Sequence, residues 1–146
     1  MNEQQYDQYL NIETEGYQQG YPKKLDYHRY EPTPYKALEQ LFNEYELPQH
    51  AVCIDIGCGK GRVPIYLHDK FRVRTKGIEM DPKFFAAAMQ NLLQYKAKHR
   101  LRVGSIEFYH QLAEEYNVQK HDNVFFFFNP FSIHIFLCVS DYIFSC

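Results

Sequence analysis

Short apolar runs alternate along the chain with longer stretches in which apolar residues recur every three or four positions. Ala51 to Ile56 (AVCIDI) is a continuous run containing β-branched residues and followed at once by glycines, the pattern of a buried strand. Arg72 to Glu79, with Val73, Thr75 and Ile78, predicts a second strand, and Ser105 to His110 a third. Asn123 to Phe128 carries four consecutive phenylalanines and predicts a fourth, which must be covered on both faces. Helical patterns lie between these runs. Leu38, Leu41, Phe42 and Tyr45 share a helix face, with Thr33 placed to cap it, Pro34 at the first helical position, and an end before Pro48. Gly61 to His68 can begin a helix because Pro64 still falls in its first turn. Asp81-Pro82 caps another, whose buried stripe is Phe85, Met89, Leu92 and Tyr95. Strands alternating with helices predict an α/β domain, a parallel sheet sandwiched between helix layers and joined by right-handed crossovers.

Residues 1–30 break the pattern. They hold six tyrosines among many Gln, Asn and Glu but few aliphatics, so they read as a Tyr/Gln-rich arm preceding a single domain over residues 31–146. The whole chain of 146 residues is 45% hydrophobic and 23% charged, enough to bury one core. Its 16 basic and 18 acidic side chains leave a formal charge of −2, too balanced for binding driven by phosphate neutralisation alone. The cysteines at 53, 58, 138 and 146 show neither zinc-type spacing nor a secretory context, which fits a reducing cytoplasm. The longest apolar stretch, Ile133 to Phe144, is too short to cross a bilayer, so no membrane partner is expected.

The richest chemistry lies in Asp55-Ile56-Gly57-Cys58-Gly59-Lys60-Gly61, between the first strand and a helix. Three alternate glycines permit positive φ and let backbone approach a ligand, whose polar groups would meet the amides of a helix start. Glu79 ends the next strand, 22 positions after Gly57, where a carboxylate would meet ribose hydroxyls. A tight turn beside a solvated Glu79 is the plain alternative. A phosphate-cradling nucleotidase loop requires G-x-x-x-x-G-K followed by Ser or Thr, which is absent. A nicotinamide or flavin site, as in a dehydrogenase, requires G-x-G-x-x-G. Here the spacing is G-x-G-x-G, and the early Asp55 would repel a pyrophosphate and suit a cation.

An acidic residue followed by G-x-G-x-G resembles the first signature of the class I S-adenosylmethionine-dependent methyltransferases, the match running roughly over residues 32 to 131 and being most specific at VCIDIGCGKG and GIEMDP. The resemblance implies a Rossmann-like sheet with its first four strands in the order 3-2-1-4 and S-adenosylmethionine as cofactor. It also implies that Gly57, Gly59 and Gly61 pack against the methionine and ribose, that Asp55 holds the methionine ammonium, and that Glu79 accepts both ribose hydroxyls. Met80 would lie beside the adenine. After the third strand, where the family often places an acidic residue on the adenine amine, this chain has Gln111 and Leu112. Gln111 or backbone groups would serve instead.

Asn129-Pro130-Phe131 follows the phenylalanine strand and resembles a shortened N-P-P-aromatic motif of methyltransferases acting on amino nitrogens. By that likeness the Asn side chain and the proline carbonyl accept hydrogen bonds from the target amine, and the ring stacks on a planar substrate. A turn that merely stops a strand is the alternative. Tyr27, Tyr30, Pro32 and Thr33 stand where family members often close the cofactor pocket, and a tyrosine there could face the sulfonium, surface aromatics covering the helix layer being the alternative. Lys96, Lys98, His99, Arg100 and Arg102 form one basic cluster, read as a solvated helix end with RNA contact as the alternative. The family sheet has seven strands, so the chain reads as truncated after the fourth. That strand would be an exposed apolar edge, inviting self-association unless Ile133 to Phe144 covers it as a helix. The expected activity is methyl transfer to an acceptor in nucleic acid, protein or a small molecule, with nitrogen one candidate atom. A non-catalytic S-adenosylmethionine-binding module, or an inactive fragment, is the alternative.

Overall fold

The computed structural model describes residues 1–16, 31–129 and the strand 134–139. Four parallel strands form as the apolar runs predict: β1 (Val52–Ile56), β2 (Arg74–Glu79), β3 (Ile106–His110) and β4 (Val124–Asn129). A fifth, β5 (His134–Val139), pairs antiparallel with β4, and the sheet order is β3-β2-β1-β4-β5. The helices are α1 (Glu3–Leu10), α2 (Tyr35–Glu44), α3 (Arg62–Phe71) and α4 (Pro82–Lys98).

Alternation sorts the strand residues onto two faces. Cys53, Ile106, Phe108, Val124 and Phe126 join Leu10, Tyr35, Leu38, Ile65, Leu67, Leu92 and Tyr95 in one core, so α1 to α4 all contribute to the same cluster. The other face holds Val52, Ile54 and Ile78, with Ile56, Tyr116 and Phe125 packed against them. Among the described residues this face meets the connection between β3 and β4, not a second helix layer. That connection contains only a single 3-10 turn, Ala113–Glu115. It is pinned by a buried ion pair, Lys76 Nζ to Asp122 Oδ1 at 2.8 Å, with the Tyr116 hydroxyl donating to Asp122 Oδ2 at 2.5 Å.

Several local expectations need correction. Ile133 to Phe144 was expected to cover the fourth strand as a helix, yet 134–139 is a strand. Pairing satisfies the backbone groups along the outer edge of β4, which a helix could not do, and antiparallel neighbours need only a short connection. The edge on which self-association was to rest is therefore taken by β5. The phenylalanine strand is also not covered throughout, since Phe127 is 39% exposed. In α4 the buried positions are Ala88, Asn91, Leu92 and Tyr95, whereas Met89 is exposed. Asp81 does cap this helix, its Oδ1 accepting from the amides of Lys83 and Phe84.

The first sixteen residues are not a bare arm. Asn2 and Gln5 form a reciprocal capping box at the start of α1, and Leu10 and Ile12 enter the core. Thr33 does not cap α2. The helix starts at Tyr35, whose amide donates to Glu3 Oε1 at 2.9 Å, so a side chain of α1 supplies the missing acceptor.

Candidate functional site

The carboxyl ends of β1 and β2 carry the glycine loop and Glu79. The loop is built on β2: the amides of Gly57 and Cys58 both donate to the Ile78 carbonyl, at 2.8 and 3.0 Å. The Gly59 amide donates to Glu79 Oε1 at 2.8 Å, and the Gly61 amide to the Cys58 carbonyl at 3.0 Å. Gly57, Gly59 and Gly61 all have positive φ, at 77°, 55° and 90°, conformations that side chains with a Cβ adopt only under strain.

The glycines serve different ends. A Cβ on Gly57 would project into open space, leaving room for a ligand. At Gly61 it would lie 2.7 Å from the Phe108 ring, and at Gly77 2.7 Å from both Cys58 Sγ and Phe108. Those two positions are bare so that the loop and α3 can sit close on the sheet. At Gly61, where the family pattern implies a cofactor contact, the space is filled by Phe108.

Glu79 is 8% exposed, and besides Gly59 it accepts from the Asp81 amide through Oε2 at 2.9 Å. A carboxylate offers about four acceptor positions, and these bonds use two of them, one on each oxygen. Asp55, on β1, is buried beside it. Burial first, and then the Glu79 charge, push the Asp55 carboxyl up to about 8. The same burial, with both acids nearby, raises the Cys58 thiol well above its ordinary value, so Cys58 packs against the loop as a neutral group.

The loop amides expected to meet a ligand's polar groups are therefore committed to protein acceptors at Gly57, Cys58, Gly59 and Gly61, while two acids face the same place. A phosphate or pyrophosphate would find few free loop amides and the repulsion of the Glu79 charge. A cation bearing hydroxyl groups fits both features.

At the same edge, the Gln111 amide donates to the Glu79 carbonyl at 3.2 Å. Met80, 57% exposed, and Leu112, 40% exposed, offer apolar surface. His110, not singled out from the sequence, is the register partner of Glu79; it stacks on Phe85 with ring centroids 5.1 Å apart and contacts the Met80 carbonyl through Nε2 at 3.1 Å. Its position as the last residue of the third strand is the signal that would have found it. Asn129 ends β4 two positions beyond the level of Ile56, at this carboxyl edge. Tyr27, Tyr30, Pro130 and Phe131 lie outside the described residues. Thr33 is buried, its carbonyl accepting from Arg62 Nη1 at 3.1 Å.

Among solved structures, the chain matches an RNA methyltransferase from Salinibacter ruber in complex with S-adenosyl-L-homocysteine, with a TM-score of 0.58 and 22% identity over 70% of this chain and 63% of that one. It matches a SAM-dependent methyltransferase from Thiobacillus denitrificans in complex with the same compound at 0.57 and 19%, over 77% and 46%. The fold is that of the class I S-adenosylmethionine-dependent methyltransferases. A third match within this methyltransferase fold is phosphoethanolamine N-methyltransferase 2 of Haemonchus contortus, at 0.54 and 18%, over 66% and 21%. The chain spans less than two thirds of each of these proteins. No protein-family model and no curated protein matches the sequence. Among the described residues, no group of His, Cys, Asp or Glu is arranged to hold a metal ion, and no helix is long and apolar enough to cross a membrane.

The weakened acidity of Asp55 has a measurable consequence. Between about pH 4, the ordinary carboxyl range, and about pH 8, the folded chain holds a proton here that the unfolded chain has released. Stability contributed by this group therefore falls as pH rises through that window. Asp55→Asn should leave the melting temperature nearly unchanged at pH 4 and raise it by roughly 10 °C or more at pH 8.5. Thermal melts across the range check this, and a gap independent of pH would contradict it.

Proposed function

We propose that the crevice between the glycine loop and Glu79 binds S-adenosylmethionine, and that the chain is a methyltransferase domain that moves the methyl group to an acceptor in nucleic acid, protein or a small molecule. The observation that carries this reading is the pairing of loop amides with protein carbonyls and Glu79 beside two buried acids, which favours a cationic ribonucleoside over a phosphate-bearing dinucleotide. The fold agrees with it, and all three of the matching structures described above are complexes with S-adenosylhomocysteine.

When bound, S-adenosylmethionine supplies a methyl group already activated by its sulfonium. The residues of the chain align, desolvate and exclude water, effects together worth several kcal/mol or more. Glu79 accepts the ribose hydroxyls with its two remaining acceptor positions. Asp55 would hold the methionine ammonium as a carboxylate, its proton passing to the buffer. Gly57 leaves the space in which that part lies. Met80, Gln111 and Leu112 would flank the adenine, Tyr30 and Thr33 would belong to the segment closing over it, and Asn129, Pro130 and Phe131 would receive the acceptor, a nitrogen by the motif they resemble.

Calorimetric titration of the full chain with S-adenosyl-L-homocysteine tests the reading. Binding is expected, and at pH 7 its heat should vary with the ionisation enthalpy of the buffer, because Asp55 releases a proton. NADH should give no heat. A folded sample that ignores S-adenosyl-L-homocysteine and binds NADH would overturn the assignment. Binding without methyl transfer to RNA, DNA, protein or metabolite pools would favour the non-catalytic module.

A further inference from the structure

Residues 13, 14 and 15 run beside the glycine loop, and each is gripped by a different side chain. Asn91, 3% exposed on α4, donates through Nδ2 to the Lys60 carbonyl at 2.8 Å and to the Glu13 carbonyl at 3.0 Å, while its Oδ1 accepts from the Glu13 amide at 2.9 Å. Arg62, the residue after the loop, donates through Nε to Thr14 Oγ1 at 2.7 Å and through Nη1 to Glu3 Oε2 at 2.6 Å. Lys60 Nζ donates to the Glu15 carbonyl at 3.2 Å. Thr14 is in turn bonded to Asp7 through both its amide and its hydroxyl, at 2.7 and 2.8 Å, which ties this segment to α1.

A buried amide within the otherwise apolar stripe of α4 requires partners, and the partners of Asn91 lie on two separate segments, the N-terminal one and the loop. We propose that Asn91 is a positioning residue for the crevice: by joining Glu13 to the Lys60 carbonyl it makes the first sixteen residues a strap that holds the glycine loop in its binding conformation. This inference rests on the methyl-donor reading of the crevice. Its physical basis is entropy. A loop with three glycines in seven residues loses more backbone freedom on ordering than any other kind of segment, so a strap that orders it beforehand raises affinity without touching the ligand. Linkage makes the effect reciprocal: a ligand that needs the ordered loop must also tighten the strap.

The experiment uses the full chain with Asn91→Ala, and with Leu92→Ala as a control that loosens the same helix without touching the loop. S-adenosyl-L-homocysteine affinity is measured by calorimetry, and backbone amide exchange is followed in peptides covering residues 1–16 and 57–61. Asn91→Ala should weaken binding at least tenfold, accelerate exchange in both peptides together, and leave β3 and β4 unchanged. In the unaltered chain the ligand should slow exchange in residues 1–16. Leu92→Ala, compared at a similar loss of melting temperature, should bind within threefold of the unaltered chain. Asn91→Asp keeps the shape and the acceptor but loses both donors; it should show the same losses and is the variant to read if Asn91→Ala does not fold. Equal binding by the Asn91 and Leu92 variants would overturn the strap. If the unaltered chain binds no S-adenosyl-L-homocysteine, the functional reading fails by itself, and unchanged exchange in residues 57–61 of the Asn91 variant would then overturn the strap independently.

Discussion

Glu79→Ala is expected to weaken S-adenosyl-L-homocysteine binding by at least a hundredfold. A ribose diol held by a carboxylate makes two charge-assisted hydrogen bonds of about 1.5–3 kcal/mol each, and about 2.7 kcal/mol already corresponds to a factor of a hundred. A second loss adds to this, because Glu79 also holds the Gly59 and Asp81 amides, so its removal loosens the loop and the first turn of α4 together. Glu79→Gln separates the contributions. It keeps an oxygen for one of the amides but not the charge, so it should retain more thermal stability than Glu79→Ala while binding much more weakly than the unaltered chain. Glu107→Ala is the control, since Glu107 pairs with Arg74 at the exposed edge of the sheet and should leave binding unchanged. Glu79→Ala that binds like the unaltered chain would remove the basis for the proposed function.

The largest effect on folding is expected at Arg62. Its guanidinium is 3% exposed and lies 4.2 Å from the centroid of the Tyr35 ring, between Glu3 and Asp7. Asp7 also accepts from the Tyr35 hydroxyl at 2.6 Å, and burial keeps that hydroxyl protonated. Among the described residues Nη2 has no hydrogen-bond partner and stands 4.0 Å from Asp7 Oδ1, so here the cluster is held chiefly through Nε and Nη1. Arg62→Met keeps much of the volume and leaves the Asp7 charge buried without its cation. Breaking a buried pair from one side costs about 3–5 kcal/mol, a large fraction of the stability of a domain this size. Urea denaturation measures the loss. Asp7→Asn in the same chain should recover part of it by removing the stranded charge, a coupling that a double-mutant cycle isolates. A loss below about 1 kcal/mol would mean that the cluster behaves like a surface pair.

The contrast between these two residues shows what a linear reading can reach. Glu79 was legible because the glycine loop and the strand after it are local patterns with a spacing between them, and parallel pairing of β1 with β2 converts that spacing into proximity. Arg62 was passed over inside the helical pattern read from Gly61 to His68. Its partners Glu3, Asp7, Thr14 and Thr33 are distant in the chain, in a segment with too few aliphatic residues to announce a core helix. The Asn2-to-Gln5 capping box was the one local sign of α1. Met89 was misjudged and Asn91 passed over for a related reason: periodicity ranks positions by apolarity, whereas α4 buries an amide that makes three hydrogen bonds and leaves a thioether exposed.

By itself the amino-acid sequence determined the four parallel strands, the glycine loop, the Asp81 cap and the two acids at the crevice, because short-range sterics, hydrophobic alternation and capping chemistry act over a few residues. Tertiary structure alone decided that α1 closes onto α3, that Phe108 fills the space at Gly61, that 134–139 pairs as a strand, and that the loop amides face protein acceptors. Each of these depends on which distant groups become neighbours, and burial then sets the charge and hydrogen bonding of those groups.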